Sequence, residues 1–306
     1  MPRTTADSTI AGVKLADDDG VRRLIELARG EDLGAGDLTS ALLSNPEEAA
    51  SFRLLARQRG VFAGREIAGI IAAAYDPAVT IAWTTAAVDG GRIDTPPAEL
   101  ALIRGPLAAV LAAERVLLNF LQRLCGVATL TRAFVDAVAG TGAAIYDTRK
   151  TMPGWRSLDK YAVRCGGGSN HRLGLFDAVL IKDNHLAGIA SARLAATVFE
   201  LLNRLRHPDG RRLFVEVEAD SVAQVEHLLQ VVSIDAVLLD NFTLEELAES
   251  VALRDGLGLR GQVALEASGG ITPQTVRAVA ETGVERISVG AITHSAPALD
   301  LSLERV

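Results

Sequence analysis

Three cationic side chains stand directly after short apolar runs: Arg149 and Lys150 after AAIYDT, and Lys182 after DAVLI. Between them a Gly-rich loop, GGGSN from Gly166, delivers His171 and Arg172. Arginine makes planar, bidentate contacts with carboxylates, whereas lysine is a point charge suited to phosphates. A pocket holding both suits a ligand that carries carboxylates and phosphates together. Later apolar runs also end in polar or glycine-rich groups: Glu216 and Glu218 in LFVEVE, Asp240-Asn241 after AVLL, Ser268-Gly269-Gly270 after VALEA, and Gly290 after RISV.

The charge pattern agrees with a local anion site. Of the 31 cations only four are lysines: Lys14, Lys150, Lys160 and Lys182. The stretch 149–182 holds seven cations and two acids, a net of +5 in a chain of −7, so the remainder carries −12. An acidic protein with one basic segment is a poor general binder of nucleic acid or membranes. No apolar run approaches the ~18 residues of a membrane span. The first twenty residues are polar and acidic and lack a signal-peptide core. Cys125 and Cys165 form no close-spaced metal or redox motif. The expectation is a cytoplasmic protein.

These groups need a scaffold that turns strand ends to one place. From about residue 143, β-branched runs alternate with helical patterns. The strands are expected at Ala143–Arg149, Asp177–Lys182, Leu213–Glu218, Ala236–Asp240, Val263–Glu266 and Arg286–Val289. Helices are expected over Ala192–Leu205, Val222–Val232, Leu244–Leu253 and Pro273–Glu281. Ser221 with Gln224 and Thr243 with Glu246 have capping-box spacing, and Thr272-Pro273 reads as an N-cap with proline at the first helical position. Such alternation implies parallel strands with helices outside. In a β/α barrel the carboxyl ends of all strands converge on the active-site face. Period-two alternation in VEVE turns Glu216 and Glu218 inward and Val215 and Val217 toward the helices.

The first part of the chain reads as α+β. Helices are expected over Asp19–Arg29, Glu66–Ala74 and Leu107–Leu124, and strands over Ala50–Arg57 and Val79–Thr84. The run Asp17-Asp18-Asp19-Gly20 follows no apolar strand, so it reads as a helix start, where the dipole favours acids.

The chain resembles the quinolinate phosphoribosyltransferases, the carboxylating nicotinate-nucleotide pyrophosphorylases. The likeness runs over most of the chain: EDLGAGDLT from Glu31, ERVLLNFLQ from Glu114, DTRKT from Asp147, KYAV from Lys160, GGGSNHR, LIKDNH, VEVEADS, LLDNF, EASGGIT and SVGAITHS. Met152 and Trp155 are small departures that leave the charged positions intact. The resemblance implies an N-terminal α/β sandwich-like domain (1–125) and an open, seven-stranded α/β barrel (126–290) resembling a TIM barrel. The tail 291–306 is expected to pack back on the first domain. It further implies phosphoribosyl transfer from phosphoribosyl pyrophosphate to quinolinate with Mg²⁺, decarboxylation to nicotinate mononucleotide, and a homodimer, or a multiple of one, with shared sites.

By the same resemblance, quinolinate falls to Arg149, His171, Arg172 and Lys182, with Arg115 across the dimer and Thr148 also lining the site. Phosphates fall to Lys150, Ser268, Gly269, Gly270 and Gly290. Ribose and Mg²⁺ fall to Glu218 and Asp240, which with Lys150 form the expected catalytic set. Alternatives stay open at this level. Glu216 can replace or support Glu218, His171 can act through another group, and Arg115 can be a plain surface residue. Lys182 or Lys150 can serve a Schiff-base aldolase or decarboxylase, and the barrel can bind a phosphosugar without turnover. A related transferase acting on nicotinate or another ring acid is the nearest rival.

Overall fold

The computed structural model describes residues 15–205, 210 and 212–306. In chain order the strands are β1 (Ala49–Ala56), β2 (Gly60–Val61), β3 (Thr80–Trp83), β4 (Arg92–Ile93), β5 (Ala98–Pro106), β6 (Ala144–Tyr146), β7 (Ala178–Ile181), β8 (Phe214–Ala219), β9 (Ala236–Asp240), β10 (Ala264–Ser268), β11 (Arg286–Ser288) and β12 (Leu301–Arg305). The helices are α1 (Asp19–Leu33), α2 (Arg65–Tyr75), α3 (Leu107–Ala137), α4 (Arg156–Cys165), α5 (Asp183–Leu186), α6 (Ser191–Arg204), α7 (Val222–Leu228), α8 (Leu244–Gly256), α9 (Val276–Glu281) and α10 (Ala291–His294). The chain forms two compact units. One comprises Ala133–Arg149 and Gly168–Gly290; the other comprises Lys150–Gly167, Ala291–Val306 and the described residues up to Arg132.

The second of these units is built on an antiparallel sheet of order β12-β1-β5-β3. In β1 every second residue is buried, Phe52, Leu54 and Ala56 among them, as period two requires of a strand with one wet face. The C-terminal strand β12 pairs with β1 in the register Leu54↔Leu303. Gly126 of α3 allows the tail to pass. A Cβ there would lie 2.0 Å from the Pro297 carbonyl oxygen. At the start of α1, Asp18 accepts from the Gly20 and Val21 N–H groups, the N-cap its acidic run suggested. The sequence reading assigned 126–290 to the barrel, yet α4 lies in this unit: its Asp159 is fully buried against Arg123 of α3.

The other unit is a parallel sheet of order β6-β11-β10-β9-β8-β7. Helices α6, α7, α8 and α9 lie between successive strands, so the connections are of the βα type that makes an open barrel. The expected seventh strand reduces to one isolated parallel bridge, Tyr146↔Ser169, beyond β6. The Gly-rich stretch before Ser169 and the turn toward Arg172 leave no length for a ladder. Two helix starts also differ from expectation. Thr272 Oγ1 accepts the Thr275 N–H at 3.3 Å as an N-cap would, but regular helix begins only at Val276. Ser221 makes no side-chain cap; Gln224 Oε1 instead accepts the Asp220 N–H. Thr243 and Glu246 form the full capping box. No described helix is long and apolar enough to cross a membrane.

Candidate active site

The barrel gathers its charged groups at the ends of, and inside, the parallel sheet. Lys182 directly follows β7, and its Nζ lies 2.7 Å from Glu218 Oε2 on β8. The Asp183 N–H also points at Glu218 Oε1, at 3.4 Å. The strand end is braced by His185, whose Nδ1 accepts the Lys182 N–H at 2.8 Å.

Glu216 and Glu218 both face inward, but to different ends. Glu216 sits deeper and is fully buried, with Oε2 2.8 Å from His171 Nε2. His171 Nε2 also lies 3.4 Å from Glu266 Oε1 on β10. Glu266 Oε2 accepts from Arg286 Nε on β11 at 2.5 Å, and the Arg286 guanidinium stacks 3.8 Å from the Tyr146 ring centre. Burial would raise the Glu266 carboxyl, yet Arg286 and His171 outweigh it and hold it well below the usual range. The His171, Glu216 and Glu266 donors lie within 4.8 Å of one another, near enough for a metal ion. Arg286 engages one Glu266 oxygen and the imidazole one Glu216 oxygen, while Glu216 Oε1 and Glu266 Oε1 have no hydrogen-bond partner among the described residues.

His171 Nδ1 accepts the Arg172 N–H at 2.7 Å. Burial opposes a second proton on this ring, while the charges of Glu266 and Glu216 favour it and push His171 up to about 10. That proton would have to occupy Nδ1, where the Arg172 N–H already points. Two N–H groups do not face each other at hydrogen-bond distance, so the contact places the acceptor on Nδ1 and a ring proton on Nε2, toward Glu216. The backbone here is held from below by Asp147, which is fully buried and accepts both the His171 N–H (2.8 Å) and Asn170 Nδ2 (2.7 Å).

Arg172 is crowded by a like charge. Burial, and next the neighbouring Arg149, lower its pKa, while Glu216 and Asp177 act the other way. Arg149 Nε is buried with no hydrogen-bond partner among the described residues. Two adjacent guanidinium groups with an unmatched donor call for an anion. At the centre of the sheet, Asp240 and Ser268 are register partners at the ends of β9 and β10. Asn241 Nδ2 donates to Asp240 Oδ2 at 2.8 Å, and the Asn241 N–H donates to the Ser268 carbonyl. Gly269 and Gly270 follow at φ 107° and 56°, both exposed. Gly290 follows β11. Thr148 lies between Asp147 and Arg149 and is half-buried.

Two expected ligands belong to the other unit. Lys150 is exposed, and its carbonyl accepts from Thr293 Oγ1 at 2.8 Å. Arg115 is exposed on α3 and lines a cavity of about 800 Å³ with Leu24, Leu27, Asn119, Phe120 and Arg123. The sequence reading gave no role to Asp147, Glu266 and Arg286, and named Asn241 only within a polar strand end. The available signal was a charged residue at an inward position of an apolar strand, as in VALEA and ERISV.

An open parallel barrel with arginines, a lysine and carboxylates at its strand ends is the arrangement of an anion-binding α/β-barrel enzyme. Residues 127–304 match the C-terminal domain of quinolinate phosphoribosyl transferase, and 37–125 match its N-terminal domain. The chain is 37% identical over 302 residues to quinolinate phosphoribosyltransferase [decarboxylating] 1b of Nicotiana tabacum, covering 93% of this chain and 82% of that one. It is 36% identical to the probable nicotinate-nucleotide pyrophosphorylase [carboxylating] of Bacillus subtilis, covering 90% of this chain and 89% of that one. The solved nicotinate-nucleotide pyrophosphorylase of Francisella tularensis superposes with a TM-score of 0.83 at 36% identity, over 97% of this chain and 99% of that chain. The chain belongs to the quinolinate phosphoribosyltransferase family.

Proposed function

We propose that this enzyme transfers phosphoribose from phosphoribosyl pyrophosphate to quinolinate, releasing pyrophosphate and CO₂ and leaving nicotinate mononucleotide for NAD synthesis. Family membership supports the reaction. The observation that carries the substrate is the Arg149–Arg172 pair, with its unmatched buried Nε, in the same unit as the Lys182 strand end. A dianion needs several paired cations to leave water, and a phosphosugar alone gives no reason for two crowded guanidinium groups.

The ring nitrogen of quinolinate attacks the ribose carbon as the bond to pyrophosphate breaks. That carbon becomes cation-like, and carboxylates stabilise it electrostatically. Glu218 and Asp240 take this role or hold the ribose hydroxyls. The nitrogen is then cationic and accepts the electron pair of the breaking carbon–carboxylate bond. CO₂ leaves, and a solvent proton takes its place on the ring. Arg149, Arg172 and Lys182 bind and orient the carboxylates; Lys150 and the backbone N–H groups of Ser268, Gly269, Gly270 and Gly290 take the phosphates.

Mg²⁺ fits the donor set. Glu218 and Asp240 are hard oxygen donors at the ends of β8 and β9, and Mg²⁺ takes one or two carboxylates with phosphate oxygens and water. When bound it neutralises charge on the pyrophosphate leaving group. The exposure of Arg115 on a cavity rim supports a role as the partner subunit's contribution within a homodimer or a multiple of one. Two unbridged cysteines support a cytoplasmic setting.

Purified protein given quinolinate, phosphoribosyl pyrophosphate and Mg²⁺ is expected to release CO₂ and form nicotinate mononucleotide. Turnover of nicotinate but not quinolinate would overturn the substrate assignment.

A further inference from the structure

The deepest charged groups of the barrel meet the positions assigned to quinolinate at His171. Glu216 and Glu266 are fully buried, and Arg286 is 4% exposed. They sit on three different strands, β8, β10 and β11, and the buried apolar stretch of β9, Ala236–Leu239, runs between the two acids. Placing four ionisable groups in a barrel core is costly unless each is matched. The contacts run in a row: Tyr146 under Arg286, Arg286 on Glu266, and His171 Nε2 hydrogen-bonded to Glu216 and 3.4 Å from Glu266, while Glu216 Oε1, Glu266 Oε1 and Arg286 Nη2 have no hydrogen-bond partner among the described residues.

The chain of contacts ends on a backbone atom. His171 Nε2 lies 2.8 Å from Glu216 Oε2 and 3.4 Å from Glu266 Oε1, so the acids face the ring on its Nε2 side. Nδ1 is then left as an acceptor, and it takes the Arg172 N–H at 2.7 Å. Asp147 holds the preceding N–H at 2.8 Å. Two successive backbone N–H groups are thereby pinned just before the Arg172 side chain leaves the core. A flipped ring or the other tautomer would set a donor against the Arg172 N–H and push that residue away.

We infer that Glu216, Glu266 and Arg286 are positioning residues: through the His171 tautomer they set where the Arg172 guanidinium stands, and hence how tightly the pyridine dicarboxylate binds. The role rests on the function proposed above. It assigns His171 to the core of the barrel, with both ring nitrogens engaged there, and leaves the phosphoribosyl pyrophosphate subsite untouched.

The first test uses the unaltered protein. Nitrogen-15 NMR of labelled histidine is expected to give the neutral Nε2–H pattern for His171 at pH 7.5; an imidazolium or Nδ1–H pattern would overturn the inference. The second test uses Glu216→Gln and Glu266→Gln, which keep side-chain volume. KM for quinolinate is expected to rise on the order of tenfold or more, the scale of a displaced binding group, while KM for phosphoribosyl pyrophosphate stays within about twofold and the His171 tautomer pattern changes. Folded variants with an unmoved quinolinate KM, or with both KM values raised alike, would count against it. Glu216→Asp, which keeps the acceptor, is expected to recover part of the loss. Absence of quinolinate turnover by the unaltered enzyme would instead sink the function, a result the NMR pattern reads independently.

Discussion

Lys182 Nζ is 2.7 Å from Glu218 Oε2, so a cation assigned to quinolinate and a carboxylate assigned to ribose hold each other. Lys182 is 48% exposed and Glu218 only 7%. The pair therefore lies at the edge of the core, where a ligand can take either member. A carboxylate that claims Lys182 frees Glu218 to face the ribose. Glu218→Gln is expected to lower the quinolinate KM by releasing Lys182, while kcat falls on the order of a hundredfold for the lost negative charge. Lys182→Met is expected to raise the quinolinate KM by roughly ten- to a hundredfold, the worth of a charge-assisted bond. Steady-state kinetics with each substrate varied in turn reads both. Equal effects on both KM values in Lys182→Met would mean that the lysine serves no single substrate.

Arg172 and Arg149 are arginines for a geometric reason. A planar fork grips a carboxylate through two parallel bonds, which an ammonium group cannot copy. Arg172→Lys keeps the charge and is expected to weaken quinolinate binding by about tenfold or more, with little change for phosphoribosyl pyrophosphate. Calorimetric titration of quinolinate into the variant checks this without turnover. Unchanged affinity would show that charge alone suffices.

Gly269 carries φ 107°, and a Cβ there would lie 2.1 Å from Asn241 Oδ1 and 3.0 Å from the Asn241 backbone nitrogen. Asn241 itself sits at φ 60° and holds Asp240. Gly269→Ala is thus expected to displace Asp240 as well as strain the loop. Strain of this kind costs about 1–3 kcal/mol, so thermal unfolding should shift down and kcat should fall even when phosphoribosyl pyrophosphate is saturating. An active variant with an unchanged melting temperature would contradict the close approach.

Asp159 is fully buried and lies against Arg123, with Arg123 Nε to Oδ1 at 3.1 Å and Nη2 to Oδ2 at 2.9 Å. Burial raises the Asp159 pKa, and the arginine opposes that rise. Arg123→Met leaves the carboxylate uncompensated and is expected to cost about 3–5 kcal/mol. The folded protein then favours neutral Asp159 more than the unfolded chain does. The deficit should therefore be largest at neutral pH and shrink as pH falls toward the carboxyl range. Urea unfolding at pH 7.5 and 5 measures it; a deficit that grows in acid would reverse the sign.

Much of the barrel was legible along the chain. β9 occupies Ala236–Asp240 as read, and the other five parallel strands lie within two or three residues of expectation. Repeated β-branched runs separated by helical periods leave few alternatives to a parallel sheet. The N-terminal sheet was harder to read. β5 and β12 went unrecognised because AELALIRGP runs straight into a helix start and LSLER stands alone at the end of the chain. Their partner, β1, is distant in sequence in both cases. Strand pairing over such separations leaves no local trace.

The sequence by itself determined that inward acids and glycine-rich groups fall on and after the parallel strands of one sheet, because period two and βα connectivity are local rules. It also carried the family likeness. Only the tertiary structure decided which charges meet. Glu216 and Glu218 are two residues apart on one face of one strand, yet one is locked to His171 in the core and the other to Lys182 at the mouth. That division depends on strand register and on depth within the barrel, since a carboxylate in the low-dielectric core must find its partner there while one at the mouth keeps access to water and ligand.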